Sequence, residues 1–381
     1  MLTRIGLTIL SFAFCAGLSA SAEAQLPVKS LRLELGFGVD TTASPEREIL
    51  TLWNSYLTEP VDSLRARLWS ATERRDGTHY DLVGPPYVYV GFQHFTVVDL
   101  RRAVGLPNTF LIRTLVSAVE DSSQDVRPLA LYRVYATQED NRWVLANALP
   151  RTTRDWHRTT LGNITFVYPP THRFNTQLGK ASSVFVDSLA HAFGLPKPEP
   201  ITYYFTDDLG ETLRALGLDF YPFGGDPLGG RSNVYARHVY VGSSINGENY
   251  LHELAHIVLF PVTRGTSREL VEGLMTWTGG SAGQRYDELV PLLAKYLLDH
   301  PDLTIEKVLR DPPQREGRLD VGYVGPAVLC KMVFDRGGVA HVRALLSAGK
   351  DPNRILSTAA QLLGVPLPKL NSLWRNECGI P

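Results

Sequence analysis

The segment LHELAHIVLFP, residues 251–261, sets His252 and His256 four positions apart with Glu253 between them. That spacing selects a helix, where residues i and i+4 lie one turn apart on one face. The neighbouring residues select it independently. Leu251, Leu254, Ala255 and Val258 fall at i, i+3, i+4 and i+7 and make a core-facing stripe. Asn246 marks the expected N-cap region, and Pro261 is expected to stop the helix. Two imidazoles so placed can reach one Zn²⁺. Glu253 sits about 100° round the helix from His252, close enough to touch a water beside the metal without ligating it. Three cysteines cannot build a four-cysteine zinc site, whereas ten histidines leave room for an imidazole one.

A catalytic zinc keeps three protein ligands and one open position, so a third ligand is required. Ile257, Val258 and Leu259 follow His256, which rules out the metzincin continuation H-x-x-G-x-x-H. Gly265-Thr266-Ser267-Arg268 starts like the Gly-Thr-x-Asp element of aspzincins but carries Arg where Asp is needed. Glu269 and Glu272 remain. Thr266-x-x-Glu269 has capping-box spacing, which accounts for Glu269 at the start of a second helix. Glu272 lies one turn deeper among Leu270, Val271 and Leu274, where a carboxylate needs a partner.

Two helices bearing HELAH and ELVEGLMTW resemble the gluzincin metallopeptidases of the peptidase MA-like group. There the third ligand is the Glu of an E-G pair on the second helix. The resemblance implies His252, His256 and Glu272 as zinc ligands and Glu253 as general base. The 15 residues between His256 and Glu272 form a shorter gap than in thermolysin-like and aminopeptidase-like relatives. The likeness continues through 286–377: a helix led by Tyr323, then Gly337-Gly338, Val339 to Leu346, and a last segment ending at Trp374. It implies Tyr323 as donor to the oxyanion; His341, which matches no motif of the group, is a weaker candidate for that role. It also implies that the strand before the zinc helix pairs with substrate backbone, a role assigned to Val239–Gly242 within a strand read over Asn233–Val241. His238 is then a strand side chain. His79, His94, His157, His172, His191 and His300 have no ligand spacing and are read as structural.

The expected activity is hydrolysis of peptide bonds in a peptide or protein substrate. The absence of a G-x-M-E-N element favours an endopeptidase over an aminopeptidase. The alternative is a catalytically weak or inactive zinc-binding interaction protein whose N-terminal domain carries the function.

Residues 1–24 read as a cleavable signal peptide, with Arg4, an apolar stretch from Ile5 to Leu18, and an A-x-A site at Ala22-Glu23-Ala24. The mature protein is therefore expected to be secreted or periplasmic. It has no further run of 18 apolar residues and no stable membrane span. A formal net charge of -1 argues against nucleic-acid binding. The expected fold class is α+β in two domains. The first, 25–150, has helices at Pro45–Tyr56 and Asp62–Ser70. Strands follow at Phe110–Val119, Ala130–Gln138 and Trp143–Leu149, the last two joined by a hairpin at Glu139–Arg142. Its ALYRVYATQEDNRWVLANAL is similar to nuclear-transport-factor-2-like cone domains, and no chemistry is assigned to it. The second, 151–381, is the zincin-like domain: a small mixed sheet, the zinc helices and a helical tail. It has strands at Ile164–Tyr168 and Ile201–Phe205, a helix at Lys180–Phe193, and a Gly/Pro-rich loop at Tyr221–Gly230. Cys330 and Cys378 admit two readings, a disulfide tying down the tail or small buried residues.

Overall fold

The computed structural model describes residues 33–59, 62–78, 93–119, 125–221 and 229–380. The expected signal peptide, His79 and most of the Tyr221–Gly230 loop lie outside them. The described chain is mixed α+β, with two small mixed sheets and thirteen helices.

The first sheet holds β1 (Leu33–Leu35), β2 (Gln93–Arg102), β3 (Thr109–Val119), β4 (Val126–Glu139) and β5 (Arg142–Ala146), paired in chain order. β1 runs parallel to β2, and the others are antiparallel. Against this sheet lies α1 (Ser44–Thr58), which buries Ile49, Leu50, Trp53, Tyr56 and Leu57, a helical stripe. The Trp53 indole donates to Thr114 Oγ1 at 2.9 Å, satisfying the one polar atom on that buried ring. Asp140 and Asn141 both take positive φ, 47° and 60°, the two-residue turn that matches strand twist, so the expected hairpin is present.

The helix expected over Asp62–Ser70 ends at Ala66 as α2 (Asp62–Ala66), and a further short helix, α3 (Ala71–Asp76), starts just beyond the expected range. Ser70 divides them because its side chain caps α3, accepting from Glu73 N at 3.1 Å. The strand expected over Trp143–Leu149 stops at Ala146. Asn147 leaves it to meet the buried Glu73, donating from its backbone at 2.9 Å and from Nδ2 at 3.0 Å. α4 (Leu149–Thr152) follows.

The second sheet has the order β10-β11-β8-β7-β6. Its members are β6 (His157–Leu161), β7 (Ile164–Tyr168), β8 (Ile201–Thr206), β10 (Gly230–Asn233) and β11 (His238–Gly242). β7, β8 and β11 are parallel; β6 and β10 are antiparallel edges. The single strand expected over Asn233–Val241 is therefore a hairpin. Asn233 Oδ1 accepts from Tyr235 N and Ala236 N at 3.1 and 3.0 Å, and Arg237 turns the chain at φ 54°. This corrects the role given to Val239–Gly242. β11 is paired on both sides, by β10 and β8, so it has no open edge for a substrate.

The crossover between β7 and β8 is α5 (Thr176–Ala192), capped by Asn175 Oδ1 at 3.0 Å from Gln177 N. After β8 come α6 (Leu209–Ala215) and β9 (Leu218–Phe220), which pairs with β4 of the first sheet. The two cores thus share a seam. Tyr240, Leu216 and Leu218 pack into the first core, and Asp219 meets Arg113 and Arg133 at 3.3 and 3.2 Å.

The helical layer contains α7 (Leu251–Thr263), α8 (Arg268–Gly279), α9 (Tyr286–Asp299), α10 (Ile305–Arg310), α11 (Val321–Leu346), α12 (Pro352–Leu363) and α13 (Leu367–Glu377). α7 runs two residues past Pro261, because a proline in the last turn removes little from the ladder. α11 breaks at Gly337 and Gly338, the latter at φ 63°, as the glycine pair implied. Trp374 is fully buried and donates to the Gly325 carbonyl at 3.0 Å, tying α13 to the first half of α11. Cys330 and Cys378 are both free and buried, and burial pushes each thiol up to about 12. The disulfide reading is not what the structure holds. No described helix is long and apolar enough to cross a membrane.

Gly273 makes the tightest demand on this layer. A Cβ there would lie 2.5 Å from Pro326 Cβ and 2.8 Å from Ala327 N, so α8 and α11 touch through a bare backbone. Gly273→Ala is expected to lower stability by about 1–3 kcal/mol through overpacking. Chemical denaturation of the two proteins side by side measures it.

Candidate metal centre

α7 starts at Leu251, with Tyr250 rather than Asn246 at its N-cap. Tyr250 offers no side-chain cap; the chain is held from outside instead. Tyr203 OH donates to Gly247 O at 2.7 Å and accepts from Tyr250 N at 3.1 Å. Burial pushes the Tyr203 phenol far up, so it stays a hydroxyl. Ser182 Oγ donates to Glu248 O at 2.7 Å. The buried Glu248 carboxylate accepts from Asn175 N at 2.6 Å and lies 2.8 Å from His172 Nε2, whose Nδ1 lies 3.3 Å from Asp207. These bonds position the first turn of the metal helix. They give His172 a structural place.

α8 begins one residue later than the capping-box spacing implied. Ser267 is its N-cap, accepting from Leu270 N at 3.2 Å, while Thr266 Oγ donates to Leu346 O at 3.0 Å. Glu269 is therefore not the reciprocal member of a box. Glu272 remains one turn inside, buried and pointing at α7.

His252, His256 and Glu272 come together as the sequence implied, all buried. Glu272 Oε2 lies 3.1 Å from His252 Nε2 and 3.4 Å from His256 Nε2. The three prospective ligand atoms all fall within 4.8 Å of one another. Their donor set, two imidazole nitrogens and one carboxylate oxygen, suits zinc.

A further bond decides which nitrogen faces the cluster. His252 Nδ1 lies 2.7 Å from the Gly280 carbonyl oxygen, which can only accept. Nδ1 is thus the protonated nitrogen of the neutral ring, and Nε2 keeps the lone pair a metal needs. Gly280 can present that carbonyl because α8 ends on it at φ 77°. Gly279 brings the two helices together: a Cβ there would meet His252 N at 2.6 Å. Sequence reasoning missed this outer contact. The Gly279-Gly280 pair closing α8 is the one signal that pointed to it.

Glu253 is buried, with 7% of its surface exposed, and no hydrogen bond to it occurs among the described residues. Tyr323, in the first turn of α11, stacks on His252 with ring centroids 6.0 Å apart and planes 10° apart. Tyr250 stacks on the same imidazole, also at 6.0 Å. His341 is not part of the cluster; it packs in the kink of α11, where a Cβ on Gly337 would lie 2.2 Å from its ring. His238 is a strand side chain, its Nδ1 3.0 Å from Tyr240 OH.

No family model matches this chain, and no curated protein matches it.

Without metal the cluster is an internal ion pair. Burial alone would raise the Glu272 carboxyl, but His256 and His252 outweigh it and hold it well below the ordinary carboxylate range. Burial would likewise lower His252, but the Glu272 carboxylate outweighs it and raises the imidazole. Glu272, with its folded pKa depressed, stabilises above the unfolded value of about 4.3 and loses that as pH falls. His252, with its folded pKa raised, stabilises below about 6.5 and loses that as pH rises through the raised value. In chelator-treated protein, the melting-temperature gap between wild type and Glu272→Gln is therefore expected to be widest between about pH 4.5 and 6.5. Melting curves across pH 3–9 test this, and a gap independent of pH would contradict it.

Proposed function

We propose that this protein is an exported zinc-dependent peptidase that hydrolyses peptide bonds with Glu253 as general base. The observation that carries the reading is Glu253 itself. Glu253 follows the prospective ligand His252 on α7 and is buried beside the three-ligand group without being one of its members, which places its carboxylate to serve a water at the metal rather than the metal itself. A purely structural metal site needs no such group.

His252, His256 and Glu272 would hold the zinc, leaving a fourth position open. A bound zinc supplies Lewis acidity toward a water and toward the substrate carbonyl oxygen. The Glu253 carboxylate takes a proton from the attacking water and returns it to the leaving amine nitrogen. The Tyr323 phenol, beside His252, donates a hydrogen bond to the oxyanion. Burial of the cluster excludes bulk water and strengthens each of these interactions. Among the described residues, β10 is the edge strand that lies against α7, so it replaces Val239–Gly242 as the strand that takes substrate backbone. Nothing in the sequence resembles the amine-holding element of gluzincin aminopeptidases, which favours an endopeptidase.

The test is metal content together with cleavage of a mixed peptide library. Wild type is expected to bind one zinc and cut internal bonds. Glu253→Gln is expected to keep its zinc and lose about 10²–10⁴-fold in rate, while His256→Ala loses the metal. Zinc bound with no cleavage by wild type would instead favour a metal-bearing interaction protein. Tyr323→Phe is expected to lower kcat by about 10- to 100-fold with little change in KM, since its bond forms only in the transition state. Steady-state kinetics on one cleaved peptide decides it.

A further inference from the structure

The strand at the open edge of the second sheet is held by two parts of the chain. On the side of the metal helix, β10 lies against Tyr250: a Cβ on Gly230 would fall 2.7 and 2.9 Å from that ring. The same hairpin sets Tyr235 edge-on to Phe260 of α7, with centroids 5.3 Å apart. The same hairpin also meets the N-terminal half of the chain. Asn233 Nδ2 donates to the Gly77 carbonyl at 3.2 Å. Gly77 caps α3 at φ 69°, and a Cβ there would lie 3.2–3.3 Å from the backbone of Tyr235 and Ala236. α3 is in turn fixed to the end of β5 by the buried Glu73–Asn147 bonds. An unbroken path therefore runs from the first sheet, through α3 and Gly77, to Asn233 and the edge strand.

We propose that the N-terminal half is the brace of the substrate strand, and that Asn233 is the positioning residue through which it acts. The inference rests on the peptidase reading for its kinetic consequence, but its structural content stands apart from it. An edge strand of four residues, paired on one side only among the described residues, has few bonds to resist fraying. Asn233 acts on it twice. Oδ1 closes the turn by accepting from Tyr235 N and Ala236 N, and Nδ2 anchors that turn to Gly77. A peptide adding to the edge makes the same backbone bonds before and during reaction. Loosening the strand therefore removes uniform binding, which raises KM and leaves kcat in place.

Asn233→Asp separates the two actions, since a carboxylate keeps both turn bonds but cannot donate to Gly77. Asn233→Ala removes all three. The experiment is hydrogen exchange on the full-length zinc-loaded proteins, paired with steady-state cleavage of one peptide. Asn233→Asp is expected to speed amide exchange in residues 230–242 by about three- to ten-fold and to raise KM by a similar factor. Zinc content and kcat should hold, and Asn233→Ala should exceed it on both readouts. Unchanged exchange in the hairpin overturns the brace. So does a loss confined to kcat or to zinc. If wild type cleaves nothing, the peptidase reading falls, and the exchange rates alone still decide for or against the brace.

Discussion

A carboxylate with almost no access to water, set between two imidazoles, organises this molecule. Glu272 is 2% exposed and lies within 3.4 Å of both His252 and His256. A charge buried that deeply is tolerated only with close partners of opposite character or a metal. Satisfying it requires α7 and α8 to meet at one height and one rotation. Glycine provides the closeness: Gly279 against the backbone of His252, and Gly273 against Pro326 and Ala327 on α11. That second contact brings Tyr323 over His252. The geometry of the centre and the packing of three helices are thus one constraint.

Around that centre the supporting bonds come from distant parts of the chain. The first turn of α7 is held by Tyr203 on β8, Ser182 on α5, and the Glu248 carboxylate with its His172 and Asn175 partners. The ring orientation of His252 is set by a main-chain oxygen at the far end of α8. Such supports cost little conformational entropy at the moment of binding, because sheet and helices have already fixed them. The two halves of the chain are coupled by the same logic. β9 joins the first sheet, Tyr240 fills its core, and Gly77 meets the hairpin that carries the edge strand.

The sequence determined what depends on local spacing. The HELAH helix, Glu272 as the third member, the Asp140-Asn141 hairpin and the break at Gly337-Gly338 follow from periodicities or from backbone angles that few residues adopt. Each involves positions a few residues apart, or a buried charge that demands a partner. Tertiary structure decided the rest. Whether Val239–Gly242 or Gly230–Asn233 is the edge depends on a short antiparallel strand pairing outside β11, and the four polar or glycine residues of that strand, GRSN, carry no strand pattern of their own. The Gly280 carbonyl is a backbone atom with no side chain to announce it. The state of Cys330 and Cys378 depends on how α11 and α13 bury them, which their spacing does not encode. A short-range pattern fixes which groups can share a metal. Only long-range packing fixes their tautomer, the strand open beside them, and the part of the chain that holds it.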